Sequence, residues 1–284
     1  MEGGIAMGKT CIILAAALMA FCACQPQPKL VILHTNDTHS HFEPLRGGAD
    51  DGVGGVIERA AFVDSVRNAH GADRVLLLHA GDFSQGSPYF TELGGVLEIK
   101  AINDFAYDCV TLGNHEFDND IEALTERVKM LNPATKVICA NLDLSPFELG
   151  EYVKPYAILT RAGLKIGIVG LESDISTAVT KVVASRMQQL DNVEVTTRWA
   201  DYLHETEKCD LIILLSHAGY DQDQLIIPHT RWVDLVIGGH THTFVDDFLY
   251  VENARGKRVP IITDGRWGLE MGQVNVGRRL SFGR

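Results

Sequence analysis

Cys109-Val-Thr-Leu-Gly-Asn-His-Glu-Phe-Asp118 runs apolar for four residues, stops at Gly113, and then presents Asn114, His115, Glu116 and Asp118 almost without a gap. A short apolar run closed by glycine reads as a buried strand. An amide, an imidazole and two carboxylates at its mouth are therefore held on firm backbone. Four other apolar runs end in the same way. The run from Leu30 leads to Asp37 and His39, and the run from Val75 leads to His79, Gly81 and Asp82. The run from Leu211 leads to Ser216 and His217, and the run from Leu235 leads through two glycines to His240 and His242.

Between these runs the apolar spacing turns helical. Val56, Ala60, Val63 and Val66 share one face over about 54–69, Val96, Ile99, Ile102 and Phe105 share another over about 92–105, and Ile121, Leu124, Val128 and Leu131 repeat until Asn132-Pro133. Alternating strand and helix implies mainly parallel strands covered by helices. Residues 156–161 and 164–171, joined at Ala162-Gly163, read as a hairpin and so as the start of a second sheet. A helix near 196–208 follows, with three further strands near 245–251, 258–263 and 269–276, while 172–192 is polar and gives no clear element. The expected fold is α/β, a four-layer α/β/β/α sandwich of two mixed sheets with outer helices, formed by one domain over residues 30–284. In such sheets ligands bind beyond the carboxyl ends of the strands, where all five polar clusters fall.

Alternate residues of an extended segment face the same way, so Asp37 with His39, and His240 with His242, can each aim two donors at one point. Asp82, Asn114 and His217 bring the candidate ligands to seven, three oxygen donors and four imidazoles. One ion would be over-supplied, and two sharing a carboxylate would suit, with Asp82 as the bridge. Oxygen and imidazole without thiolate fit two divalent ions from Mn, Zn, Fe and Co. Such a pair supports in-line attack on a phosphate. Gly81, Gly113, Gly238 and Gly239 are expected to turn the backbone sharply beside the ions. His115 is left for catalysis, donating to developing charge or to the leaving oxygen. Asp118 has two readings, orienting His115 or capping the helix that follows. Glu116 reads as a structural partner near the site and His79 as support behind it, while His41 reads as an ordinary histidine that could alternatively line the pocket. Ser173 and Asp174 fall where they could edge the pocket, and Arg266 where it could face the substrate.

The formal charge of −12 argues against a nucleic-acid polymer as partner, because such proteins carry a basic footprint. Lys9 precedes the apolar stretch from Cys11 to Phe21, about half the roughly 20 residues a membrane span needs. That layout reads as a secretory signal. Ala23-Cys24 and then Gln25-Pro-Gln-Pro28 resemble the cleavage site and tether of a bacterial lipoprotein. The expectation is a signal over 1–23, lipid on Cys24, a tether over 24–29, and a protein anchored to a bacterial membrane facing the periplasm or cell surface. Cys109, Cys139 and Cys209 lie in or beside apolar runs and read as buried free thiols.

Taken together, Asp37-Thr-His39, Gly81-Asp82, Gly113-Asn-His-Glu116, Ser216-His-Ala-Gly219 and Gly239-His-Thr-His242 resemble the calcineurin-like metallophosphoesterases. Asn114-His-Glu-Phe-Asp118, Gly81-Asp-Phe-Ser-Gln-Gly-Ser-Pro88 and Asn36-Asp-Thr-His-Ser-His-Phe-Glu-Pro44 resemble the catalytic domain of the 5′-nucleotidases, over roughly residues 29–277. The resemblance implies Asp37, His39, Asp82 and His242 on one ion, with Asp82, Asn114, His217 and His240 on the other. It likewise implies His115 and Asp118 as a catalytic pair acting on a small phosphorylated substrate, a nucleotide. Members of that family carry a C-terminal domain that supplies the nucleobase pocket. This sequence stops at Arg284, and the expectation is a separately encoded protein in that role. The rival readings are a 2′,3′-cyclic nucleotide phosphodiesterase or a less selective phosphatase, a sulfur-oxidation hydrolase of similar fold, and a non-catalytic surface lipoprotein.

Overall fold

The computed structural model describes residues 29–277 and 282–283, so the expected signal, Cys24 and the tether through Pro28 lie outside the described residues. In chain order the strands are β1 (Leu30–Thr35), β2 (Val75–His79), β3 (Cys109–Thr111), β4 (Lys136–Ile138), β5 (Leu142–Asp143), β6 (Val153–Lys154), β7 (Tyr156–Arg161), β8 (Leu164–Leu171), β9 (Gln188–Gln189), β10 (Leu211–Ser216), β11 (Leu235–Ile237), β12 (Leu249–Glu252), β13 (Arg258–Ile262), β14 (Gly272–Val276) and β15 (Phe282–Gly283). The longer helices are α1 (Val56–His70), α2 (Pro88–Leu93), α3 (Val96–Phe105), α4 (Asp120–Lys129), α5 (Asn192–Glu205) and α6 (Tyr220–Ile226).

Two large sheets face each other. The first has the order β15-β14-β1-β2-β3-β4-β6, parallel from β1 to β6, with β14 antiparallel to β1. The second has the order β12-β13-β11-β10-β8-β7, parallel at its centre and antiparallel at both edges. Side-chain alternation divides each strand between two cores. Val31 and Leu33 of β1 meet the helical layer of α1, α3 and α4, while Leu30 and Ile32 meet the other sheet. Ile212 and Leu214 of β10 likewise pack under α5 and α6, and Leu211, Ile213 and Leu215 fill the space between the sheets. This is the four-layer sandwich the sequence implies. Burial on both faces makes these strands continuous apolar runs. Each fully buried leucine or isoleucine contributes about 1.5–3 kcal/mol relative to exposure, which gives the strand ends a rigid base.

Three expectations need correction. The helix expected over 92–105 is broken into α2 and α3 at Gly94 and Gly95, both with positive φ (60° and 89°). The strand expected from 245 begins only at Leu249, and the helix expected over 196–208 already starts at Asn192, capped by the Asp191 carboxylate accepting from the Glu194 N–H. The segment 172–192 holds two short helical turns and the small β5–β9 sheet. Cys109, Cys139 and Cys209 are buried free thiols, as expected.

Candidate metal centre

The carboxyl ends of β1, β2 and β3 meet those of β10 and β11 across the space between the sheets. His217 Nε2 lies 3.1 Å from Asp82 Oδ2, and His242 Nε2 lies 3.4 Å from Asp37 Oδ1. His39 Nε2 stands 3.8 Å from both carboxylates, and His240 Nδ1 stands 3.0 Å from Asn114 Oδ1. All seven residues singled out as ligands are thus brought together. Among the described residues, three groups have donor atoms close enough for one cation: Asp37 with His39 and His242, His39 with Asp82 and His115, and Asp82 with His217 and His240.

The route to this convergence differs from the extended alternation read from the sequence. Asp37 (φ 48°), His39 (φ 45°), Asp82 (φ 55°), His240 (φ 73°) and His242 (φ 53°) are all in left-handed conformations. Such residues are rare outside glycine and cost on the order of 1–3 kcal/mol each, so the surroundings must hold them. Their backbones are held: Asp37 N–H donates to Gly81 O, His39 N–H to Asp82 O, and His240 N–H to Asp37 Oδ2 at 2.9 Å. Two of the glycines show why nothing larger fits. Gly81 has φ 84°, and a Cβ there would sit 2.6 Å from His217 Nδ1. Gly113 is extended rather than turned, but a Cβ would lie 2.3 Å from Asp82 Oδ1. Close approach, not a sharp turn, is the requirement there and at Gly238 and Gly239, where φ is not positive.

The donor set fits divalent cations. His217 is fully buried, and its Nδ1 lies 2.7 Å from the Ala80 carbonyl, which can only accept, so Nδ1 donates and Nε2 is the atom left to face Asp82 Oδ2 at 3.1 Å, with room for a proton or a cation between them. His39 and His242 bring their Nε2 atoms to 2.8 Å, a separation that requires a proton or cation between two lone pairs. Burial opposes charge on His217, yet the Asp82 carboxylate outweighs it and raises the imidazole well above its ordinary value. Burial also opposes ionisation of Asp82, and His217 more than offsets it, holding the carboxylate low. The centre therefore draws positive charge to the His217–Asp82 contact. Burial lowers His39 and His240, keeping them neutral and able to ligate.

His115 stands beside the cluster, its ring edge-on to His39 at 5.3 Å, and its N–H donates to Asp82 Oδ1 at 2.9 Å. Its Nδ1 is 2.8 Å from Asp118 Oδ2; that hydrogen bond overcomes partial burial and pushes the imidazole up to about 9. The helix that follows is capped at Asn119 without a side-chain bond, so Asp118 takes the orienting role. His79 supports from behind, with Nε2 3.0 Å from Thr38 Oγ1, and His41 stacks on Trp267, with Arg266 lying over the Trp267 ring. Asp174 lines a groove of about 570 Å³ that opens beside His240, whereas Ser173 is buried against Glu172.

Sequence reasoning missed Asn36, which is buried; its amide donates to Asp37 Oδ2 and Gly265 O and accepts from the Asp264 N–H. It also left the work of Glu116 undefined. That carboxylate is fully buried and accepts from the N–H groups of Asp82, Ser84 and Gly113. Burial, with Asp82 adding to it, pushes Glu116 up to about 7. The only sequence signal for either residue is adjacency to a ligand.

A sandwich of two mixed sheets with histidine and aspartate clustered at the strand ends defines the class of metal-dependent phosphoesterases. The calcineurin-like phosphoesterase family model matches residues 30–244, and the chain belongs to that family. Rat 5′-nucleotidase is 35% identical over 295 residues, covering 95% of this chain and 48% of the relative. A 5′-nucleotidase precursor from Thermus thermophilus superposes with a TM-score of 0.80 at 29% identity, over 90% of this chain and 53% of that one. The sulfate thiohydrolase of Thermus thermophilus has a TM-score of 0.78 but 16% identity, over 92% of this chain and 56% of that one, and so shares the fold alone. The chain spans about half the length of the curated 5′-nucleotidases it matches.

Proposed function

We propose that this chain is the catalytic part of a 5′-nucleotidase-type phosphomonoesterase that uses two divalent ions. Asp37, His39, Asp82 and His242 would hold one ion, and Asp82, Asn114, His217 and His240 the other. The observation that carries this reading is the position of Asp82, whose carboxylate belongs to two distinct ligand groups, one with His39 and His115 and one with His217 and His240. When bound, two such ions supply Lewis acidity and make water acidic enough to attack phosphorus near neutral pH. His115, its Nδ1 fixed by Asp118, offers Nε2 to a phosphate oxygen or to the leaving oxygen. Burial of Asp37, Asp82 and His217 excludes bulk water from the inner side of the centre. Nucleotide monophosphates are favoured as substrates by the identity to 5′-nucleotidases over nearly the whole chain.

The proposal extends to nucleoside contacts from a further domain or a separately encoded companion, in keeping with relatives of which this chain spans about half, and to export with lipid on Cys24, supported by the sequence from Lys9 to Cys24. Metal analysis with p-nitrophenyl phosphate and nucleotide hydrolysis tests the core reading. Two transition ions per chain and release of phosphate from AMP are expected; a purified chain that takes up no such ion ends it. Mass spectrometry of the N-terminal peptide from native membranes tests the anchor, and co-purification from the same membranes tests the companion.

A further inference from the structure

We propose that Glu116 is a positioning residue that ties the Asp82 loop to the Asn114 loop and thereby sets how tightly, and how close together, cations are held. The inference rests on the metal-centre reading above. The two loops leave different strands, β2 and β3, and nothing in local sequence fixes their separation. Glu116 spans them. Its Oε2 accepts from Asp82 N–H at 2.9 Å and from Gly113 N–H at 2.6 Å, and its Oε1 accepts from Ser84 N–H at 3.0 Å. The return contact runs the other way, from His115 N–H to Asp82 Oδ1 at 2.9 Å. Each loop therefore grips the other, at the residue preceding Asn114 and at Asp82 itself.

Asp82 needs that grip, because its φ of 55° has no glycine to relieve it. The backbone of Glu116 is anchored in turn: Arg127 of α4 donates to the Glu116 main-chain carbonyl and, at 3.1 Å, to Gly94 O. The three backbone N–H groups favour the anion and work against the burial that raises Glu116, and charge-assisted bonds of this kind are about twice as strong as neutral ones. Glutamine keeps the shape but turns an NH2 toward at least one backbone N–H. Glu116 is absent from every ligand group, so it acts on the cations only through Asp82 and Asn114.

The test compares the wild-type chain with Glu116→Gln and Glu116→Asp, each stripped of metal and titrated with Mn(II) by calorimetry and electron paramagnetic resonance. Glu116→Gln should stay folded by circular dichroism, bind Mn(II) about 10–100-fold more weakly, and lose the spin-coupled signal of a close pair that the wild type shows. Should Glu116→Gln not fold, Glu116→Asp, which keeps the charge but shortens the reach, is read by the same criteria. Unchanged affinity with an unchanged coupled signal overturns the proposal. So does a fall in melting temperature with affinity intact, or failure of both variants to fold, since either marks a purely structural residue. A wild type that binds no Mn(II) pair defeats the metal-centre reading itself, an outcome distinct from a wild-type pair unaffected by Glu116→Gln.

Discussion

Two of the three candidate cation groups, those without His115, are built differently. Each has two buried residues and one partly exposed histidine, and they differ in how the rings are held. The group of Asp82, His217 and His240 is anchored deep at His217, whose side chain has no exposed surface and whose ring is fixed through Nδ1 to the Ala80 carbonyl. The group of Asp37, His39 and His242 reaches the rim through His242, whose side chain is 31% exposed and whose ring is placed by contact with His39 rather than by a backbone carbonyl. Histidine ligands gain affinity from a partner that fixes tautomer and orientation. The deep group has that partner and the rim group has less of it. One centre is therefore a fixed socket joined to an adjustable one, with Asp82 between them.

The largest expected effect removes the distinction altogether. Asp82→Asn should lose both ions by metal analysis, with activity below about one hundredth of wild type, since disturbing even a supporting residue of a metal site costs about 10–100-fold. Retention of both ions would show that the two groups do not share Asp82. His115→Asn asks whether the chemistry lies on the rim side: both ions should remain while kcat falls about 10²–10⁴-fold, and loss of metal would show that His115 ligates. His242→Asn should weaken only the rim ion, about 10–100-fold, so that excess metal restores most turnover; equal weakening of both ions would erase the asymmetry. Dialysis against a graded chelator should likewise release the two ions in sequence. The smallest effect is expected of Asp118→Asn, about tenfold in kcat, the equivalent of about 1.4 kcal/mol. A lower melting temperature with unchanged kcat would make Asp118 a structural partner of His115 rather than one that orients it for catalysis.

Much of this was legible in the sequence because burial on both faces writes a strand as an unbroken apolar run, as in Leu30 to Leu33 and Leu211 to Leu215. The identities of the clustered residues followed from where those runs stop. What the sequence concealed was conformation. Asp37 and His39 look like alternate positions of an extended segment, but both are left-handed, a state stabilised by contacts with Gly81 and Asp82 from the end of a different strand. The break between α2 and α3 was hidden because Leu93 and Val96 continue an apolar pattern across Gly94-Gly95, although both side chains are largely exposed. The contacts of Asn36 and Glu116 were hidden because, apart from the bond from Asn36 to Asp37, their partners are backbone amides and carbonyls, which every sequence contains.

The placement of β14 beside β1 has a consequence for how the protein comes into being. The strand that leads to Asp37, among the first described residues to be synthesised, pairs on one side with Gly272–Val276, close to the last described residues. Contacts so remote in sequence form late, after their loop-closure entropy has been met. Cation capture should then belong to the closing stage of folding, and a chain cut before Gly272 should hold no ion pair even though every proposed ligand has already been made.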